Sequence, residues 1–160
     1  MDIKGIVSSY AGRNERGQIE IDLKGLAADK NFREQAIKAV VKEVQEKDAC
    51  VLIPAFRRDN TYLSRLINEL ALTLQVKTLV TGDVKNLKRL RSRPTSIMLL
   101  KQSFRTGKEL QEQIDEIKAM GCTVNVFCLL AHSLAKLQGF GYQNDVEIKA
   151  LVAVDEIPYI

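Results

Sequence analysis

Ser96-Ile97-Met98-Leu99-Leu100-Lys101-Gln102-Ser103-Phe104-Arg105-Thr106-Gly107-Lys108-Glu109 is the stretch that decides the fold. It opens on a run of strand length, Ser96 to Leu100, that is apolar after its first residue. Continuous apolar runs of this kind fit strands buried on both faces, as in parallel sheets. Lys101 to Glu109 is polar and cationic and reads as a loop. After it Leu110, Ile114, Ile117 and Ala119 recur at helical spacing, with Ser103 or Thr106 as candidate cap. Gly121 stands where glycine commonly ends a helix. Thr123 to Leu130 is then a second apolar strand.

The same alternation extends outward in both directions. Upstream, Ala49 to Ile53 is an apolar run stopped by Pro54, and Leu63, Leu66, Ile67, Leu70, Ala71 and Leu74 form a helical stripe. Val76 to Val80 reads as another strand. Gly82 to Thr95 is basic, broken by Pro94, and reads as a loop. Nearer the start, Gly12 to Gly17 is a charged turn before the alternating strand Ile19 to Leu23. A helix follows from Phe32, capped by Asp29 or Asn31, and ends near Glu46 or Lys47. Val146 to Val154 supplies a last strand. Strands alternating with helices predict an α/β fold: a mostly parallel central sheet flanked by helices. Its strands are expected at Cys50–Ile53, Val76–Val80, Ile97–Leu100 and Val124–Leu130.

A chain of 160 residues is expected to form a single domain over residues 1–160 and can bury a core without disulfides or metal. No apolar run approaches the roughly 18 residues of a membrane span. Met1-Asp2-Ile3-Lys4 does not open like a signal peptide. We therefore expect a cytoplasmic protein with no membrane contact. Cys50, Cys122 and Cys128 have no CxxC spacing, and His132 is the single histidine. These residues predict free, buried thiols rather than a metal centre.

Charge is unevenly distributed. Lys77, Lys85, Lys88, Arg89, Arg91, Arg93, Lys101, Arg105 and Lys108 share their segment with one acid, Asp83. That segment is net +8 within a chain of net +4, so the remainder is net −4. A local anionic partner is implied: a phosphate-bearing small molecule, or nucleic acid bound through the basic loop 85–93. A solvated basic loop has the same composition. No RNA-binding motif accompanies the charge, and Phe104 is the one aromatic near enough for base stacking.

In parallel sheets ligands bind beyond the carboxyl ends of the strands. The candidate phosphate-binding residues are Ser103, Arg105, Thr106, Gly107 and Lys108. Helix-start N–H groups and the helix dipole attract anions, and glycine permits close approach. An ordinary capped helix with surface cations has the same residues.

Ile97 to Gly107 also resembles the type I phosphoribosyltransferase motif: an apolar strand, two acids, two further residues, then Thr-Thr-Gly and a helix. The orotate phosphoribosyltransferase branch is the most similar. Ala11-Gly12-Arg13 and Asp22-Leu23-Lys24 resemble its Ser-Gly-Arg turn and Asp-Leu-Arg strand end, at longer spacing. The resemblance spans nearly the whole chain. It implies a Rossmann-like phosphoribosyltransferase fold, a homodimer and a place in nucleotide metabolism.

Departures from the family pattern fall on the ligand-contacting positions. The acidic pair, which in the family holds the ribose hydroxyls of phosphoribosyl pyrophosphate, falls on Lys101 and Gln102. Lysine reverses the charge and accepts no hydrogen bond. The glycine-rich pyrophosphate loop falls on Ile53 to Arg58, where Phe56, Arg57 and Arg58 fill the space glycines leave open. Arg57, Arg58 and Lys101 remain as possible anion contacts. The arginine for the base falls near His132 or Ser133, and no cation matches it. We expect no catalytic residues, no cofactor and no bound metal. The expected protein is phosphoribosyltransferase-like, without transfer activity, and binds a phosphate-bearing ligand or a macromolecule in a regulatory or scaffolding role. An active phosphoribosyltransferase with an unusual substrate is the competing expectation.

Overall fold

The computed structural model describes residues 2–55, 64–74, 79–80, 87 and 96–158. Among them, five strands form one sheet: β3 (Val51–Pro54), β4 (Leu79–Val80), β5 (Ser96–Phe104), β6 (Thr123–Ala131) and β7 (Glu147–Ala153). Their order is β4-β3-β5-β6-β7. Every neighbouring pair is parallel, as the apolar runs predict. A separate antiparallel hairpin joins β1 (Ala11–Arg13) to β2 (Ile19–Ile21). Part of the charged turn expected at Gly12 to Gly17 is thus the first hairpin strand.

Helices cover both faces of the sheet. On one face lie α1 (Ile3–Ser9), α2 (Leu23–Ala28), α3 (Lys30–Glu46) and α4 (Ser64–Leu74). Ile6, Leu26, Phe32, Val40, Leu66 and Leu70 pack there against Leu52, Met98, Leu100 and Phe127. On the other face lie α5 (Lys108–Ala119) and α6 (Leu134–Gln143). Leu110, Ile114, Ile117, Leu137 and Phe140 pack there against Ile53, Ile97, Leu99, Val126 and Cys128. Each large apolar side chain buried in this way contributes about 1.5–3 kcal/mol.

Aspartates start the N-terminal helices. Asp2, Asp22 and Asp29 accept from the N–H groups of Gly5, Gly25 and Phe32, so the Asp29 cap expected from the sequence forms. Arg33, on α3, is buried and ties α2 in place. Its Nη1 donates to the carbonyls of Ala27 and Ala28 at 3.2 and 2.7 Å, and its Nε lies 3.8 Å from Glu69 on α4. Ion pairs from Lys47, just past the end of α3, to Glu147 and from Lys149 to Glu43 join this helix to β7. Gly121, with φ of 79°, follows the last residues of α5 as expected.

Several expectations need correction. The strand expected at Ile97–Leu100 continues to Phe104, because Lys101, Ser103 and Phe104 pair with Cys128, Leu130 and Ala131. Backbone pairing in the middle of a sheet continues whether or not the side chains are apolar. Neither Ser103 nor Thr106 caps α5; Gly107 holds that position with no side-chain bond. Cys50 is exposed rather than buried, while Cys122 and Cys128 are buried. Ala119 is exposed and outside the core. Helices α1, α2 and α6 are additional: the first two are short, and α6 carries Gly139 and Gly141, which weaken the helical signal. A Cβ at Gly141 would come 2.7 Å from Ile148 and 2.9 Å from the Val146 carbonyl, so glycine lets α6 lie close on β7. The expected strand residues Val76–Thr78 and the helix positions before Ser64 lie outside the described residues.

Candidate functional site

From β3 the chain crosses to β4 on one side and then to β5 on the other. The carboxyl ends of β3 and β5 therefore flank the topological switch point, where open α/β sheets bind ligands. The Ala55 N–H donates to the Leu100 carbonyl at 2.7 Å across this gap. The turn from β5 into α5 is short: Arg105, Thr106 and Gly107.

Each candidate residue takes a definite place. Ser103 is half-buried in β5, Arg105 and Thr106 are exposed on the turn, and Lys108 is exposed as the first residue of α5. The side chains of Ser103, Thr106 and Lys108 make no hydrogen bond or ion pair among the described residues, while the Ser103 backbone pairs with Leu130. Gly107 is buried, with φ of 74°. A Cβ there would lie 2.5 Å from Phe140 and 2.7 Å from Phe104. Those two rings meet edge to face with centroids 5.2 Å apart. Core packing and the left-handed backbone both require this glycine. Its Cβ side faces the rings, so the close approach it permits there is by core side chains. Arg57, Arg58 and the basic loop 85–93 (Leu87 apart) lie outside the described residues.

The two positions matching the family's acidic pair do not face one ligand. Strand neighbours point to opposite sides of a sheet, and Lys101 and Gln102 obey that rule. Lys101, with its side chain 21% exposed, lies on the α5 side, 3.9 Å from Glu109. Gln102 is 8% exposed and lies among Leu23, Leu26, Ala27, Phe32, Leu129 and Leu130 on the opposite face. These residues do not fit a divalent metal: lysine offers no oxygen ligand, and the Gln102 carbonyl is buried among apolar side chains on the opposite face. Among the described residues no group of three His, Cys, Asp or Glu stands where it could hold a metal ion. Burial pushes the Cys128 thiol up to about 12 despite the opposing influence of Lys101, so it stays protonated near neutral pH.

Arg105 reaches the neighbouring turn. Its Nε donates to His132 Nε2 at 3.1 Å, and the His132 N–H donates to the Phe104 carbonyl at 3.1 Å. Burial and then the Arg105 charge lower the His132 pKa from the usual imidazole value. Ser133 caps α6 by accepting from the Lys136 N–H at 3.3 Å. The Asp155 carboxylate accepts from the Leu134 N–H, each oxygen at 3.3 Å. A cation therefore stands beside His132 after all, supplied by Arg105 from the adjacent turn. Sequence reading missed this contact, the Glu109 partner of Lys101 and Asp155. The first joins residues 27 apart, a separation that no local pattern exposes.

No protein-family profile matches the sequence, and no curated protein does. Solved structures do match the fold. Orotate phosphoribosyltransferase from Aeropyrum pernix superposes with a TM-score of 0.70 at 14% identity, over 98% of this chain and 96% of that one. The Giardia lamblia adenine phosphoribosyltransferase complexed with 9-deazaadenine gives 0.66 at 12%, over 96% and 98%. Mycobacterium tuberculosis H37Rv orotate phosphoribosyltransferase in complex with phosphoribosyl pyrophosphate gives 0.65 at 9%, over 97% and 96%. Among the described residues no helix is long and apolar enough to cross a membrane. With its parallel sheet, two helical layers and near full-length superposition, the chain has the fold of the type I phosphoribosyltransferases.

Proposed function

We propose that the chain is a single-domain phosphoribosyltransferase-like protein that binds a phosphate-bearing ligand at the β5–α5 turn and does not transfer a phosphoribosyl group. The observation that carries this reading is the placement of Lys101 and Gln102 on opposite faces of the sheet. Neither is an acid, and Gln102 is buried under α2 and α3. The contacts that would strengthen on ribose in the transition state, the ones that accelerate chemistry, have no counterpart at these two positions.

Ligand binding survives this loss. Arg105, Thr106 and Lys108 are exposed around the start of α5, where the helix dipole favours an anion. Ser103, half-buried just before the turn, adds a hydroxyl. The solved structures of the same fold include enzymes for different bases, so the fold selects no base. A regulatory or scaffolding role in nucleotide metabolism, in the cytoplasm and as a homodimer, fits a phosphate-responsive protein without turnover.

Calorimetric titration at low salt with inorganic phosphate and with phosphoribosyl pyrophosphate tests the reading. Binding is expected, weakened about tenfold by Arg105→Ala, the scale of one charge-assisted hydrogen bond. Absence of binding for phosphate and for every nucleoside phosphate tried overturns it. Light scattering in solution tests the dimer.

A further inference from the structure

We infer that Arg105 and His132 form a proton-linked clamp for a doubly charged oxyanion, such as a phosphate monoester or sulfate. The inference rests on the anion site proposed at the β5–α5 turn. It goes further by naming His132 as the residue that controls that site.

An arginine donates and never accepts, so the 3.1 Å contact from Arg105 Nε to His132 Nε2 requires a lone pair on Nε2. His132 is then neutral, with its proton on Nδ1. In that state one guanidinium donor is occupied by the ring. Protonation of His132 converts Nε2 from acceptor to donor and ends the contact. Two adjacent cationic donors remain, on turns that leave the carboxyl ends of neighbouring parallel strands. An oxyanion placed between them accepts from both and offsets their repulsion.

The neighbourhood leaves this role to Arg105. The charged groups on the turns and helix starts adjoining His132 are Arg105 on the β5–α5 turn, Lys108 and Glu109 at the start of α5, Lys136 on α6, and Asp155 and Glu156 after β7. Asp155 is engaged with the Leu134 N–H. Among the described residues Arg105 is the charge that acts on the His132 titration, and it holds the pKa down together with burial. By linkage, an anion that binds the protonated clamp more tightly must raise the His132 pKa by the same free energy.

Sulfate is the probe, because it keeps its charge across the range in which His132 titrates. The chain contains one histidine, so its ring resonances are followed by proton NMR without assignment. Saturating sulfate is expected to raise the His132 pKa by about one unit, matching about tenfold tighter binding near pH 5 than near pH 8. His132→Gln, whose side chain does not titrate, is expected to bind sulfate with nearly flat pH dependence. If sulfate binds by calorimetry but the His132 pKa does not move, or His132→Gln keeps the full pH dependence, the clamp is wrong and the anion site stands. If sulfate binds at no pH, the anion site falls and the clamp with it. Should His132→Gln fail to fold, the wild-type NMR titration decides alone.

Discussion

Gln102→Asp introduces an acid at a position where the motif that this sequence resembles carries one, and the structure predicts that the protein resists it. The Gln102 side chain is 8% exposed and lies against Leu23, Leu26, Ala27, Phe32, Leu129 and Leu130. A carboxylate there loses its hydration, which raises its pKa; two to three units above about 3.9 is a moderate shift for such a site. At about 1.36 kcal/mol per unit, the folded state loses about 3 kcal/mol at pH 7. The pH dependence has a definite sign. The folded pKa lies above the unfolded one, so the variant regains stability as pH falls below the folded pKa, and most of the gain is present by about pH 4. Mainly the loss of the amide's own interactions then remains, about 1 kcal/mol. Urea denaturation of the parent, Gln102→Asp and Gln102→Asn at pH 7, 5 and 4 reads this directly. Gln102→Asn should show no added pH dependence. If Gln102→Asp is as stable as the parent at pH 7 with the same pH profile, the side chain is not buried under α2 and α3, and the reasoning fails.

Gly107→Ala should destabilise by about 2–4 kcal/mol, combining the left-handed backbone with overpacking against Phe104 and Phe140; chemical denaturation checks it, and a neutral result would mean that the rings do not fix this glycine. Arg33→Ala should cost about 2–4 kcal/mol through its lost bonds to the Ala27 and Ala28 carbonyls and its lost packing, read by the same method. Of the three thiols, Cys50 alone should react promptly with a maleimide in the folded protein, because Cys122 and Cys128 are buried and Cys128 is pushed up to about 12; mass spectrometry of the labelled chain counts the modified sites.

Much of this fold is legible in the sequence because buried parallel strands and amphipathic helices write continuous runs and stripes. Val51 to Ile53, Ile97 to Leu100 and Val124 to Leu130 are unbroken apolar runs, and all three lie in the sheet. Where side-chain chemistry and backbone pairing diverge, the sequence misleads. Lys101, Gln102 and Ser103 resemble a loop, yet β6 holds them in a strand. That extension changes the reading of the site. It places Lys101 and Gln102 on opposite faces and shortens the phosphate-loop candidate to Arg105, Thr106 and Gly107. Gly107 looked like a ligand-approach glycine, whereas Phe104 and Phe140 supply a core reason for it. The Arg105–His132 contact depends on two turns meeting across neighbouring strands, and only the folded chain brings them together.

The most direct test of the account is the formation of orotidine monophosphate from orotate and phosphoribosyl pyrophosphate with magnesium, using the full chain. Product is expected at the level of the enzyme-free blank, because Lys101 stands in place of the motif's acid and Gln102 is buried on the far face of the sheet. Sustained turnover in the ordinary enzymatic range, roughly 1 to 1,000 per second, would contradict it.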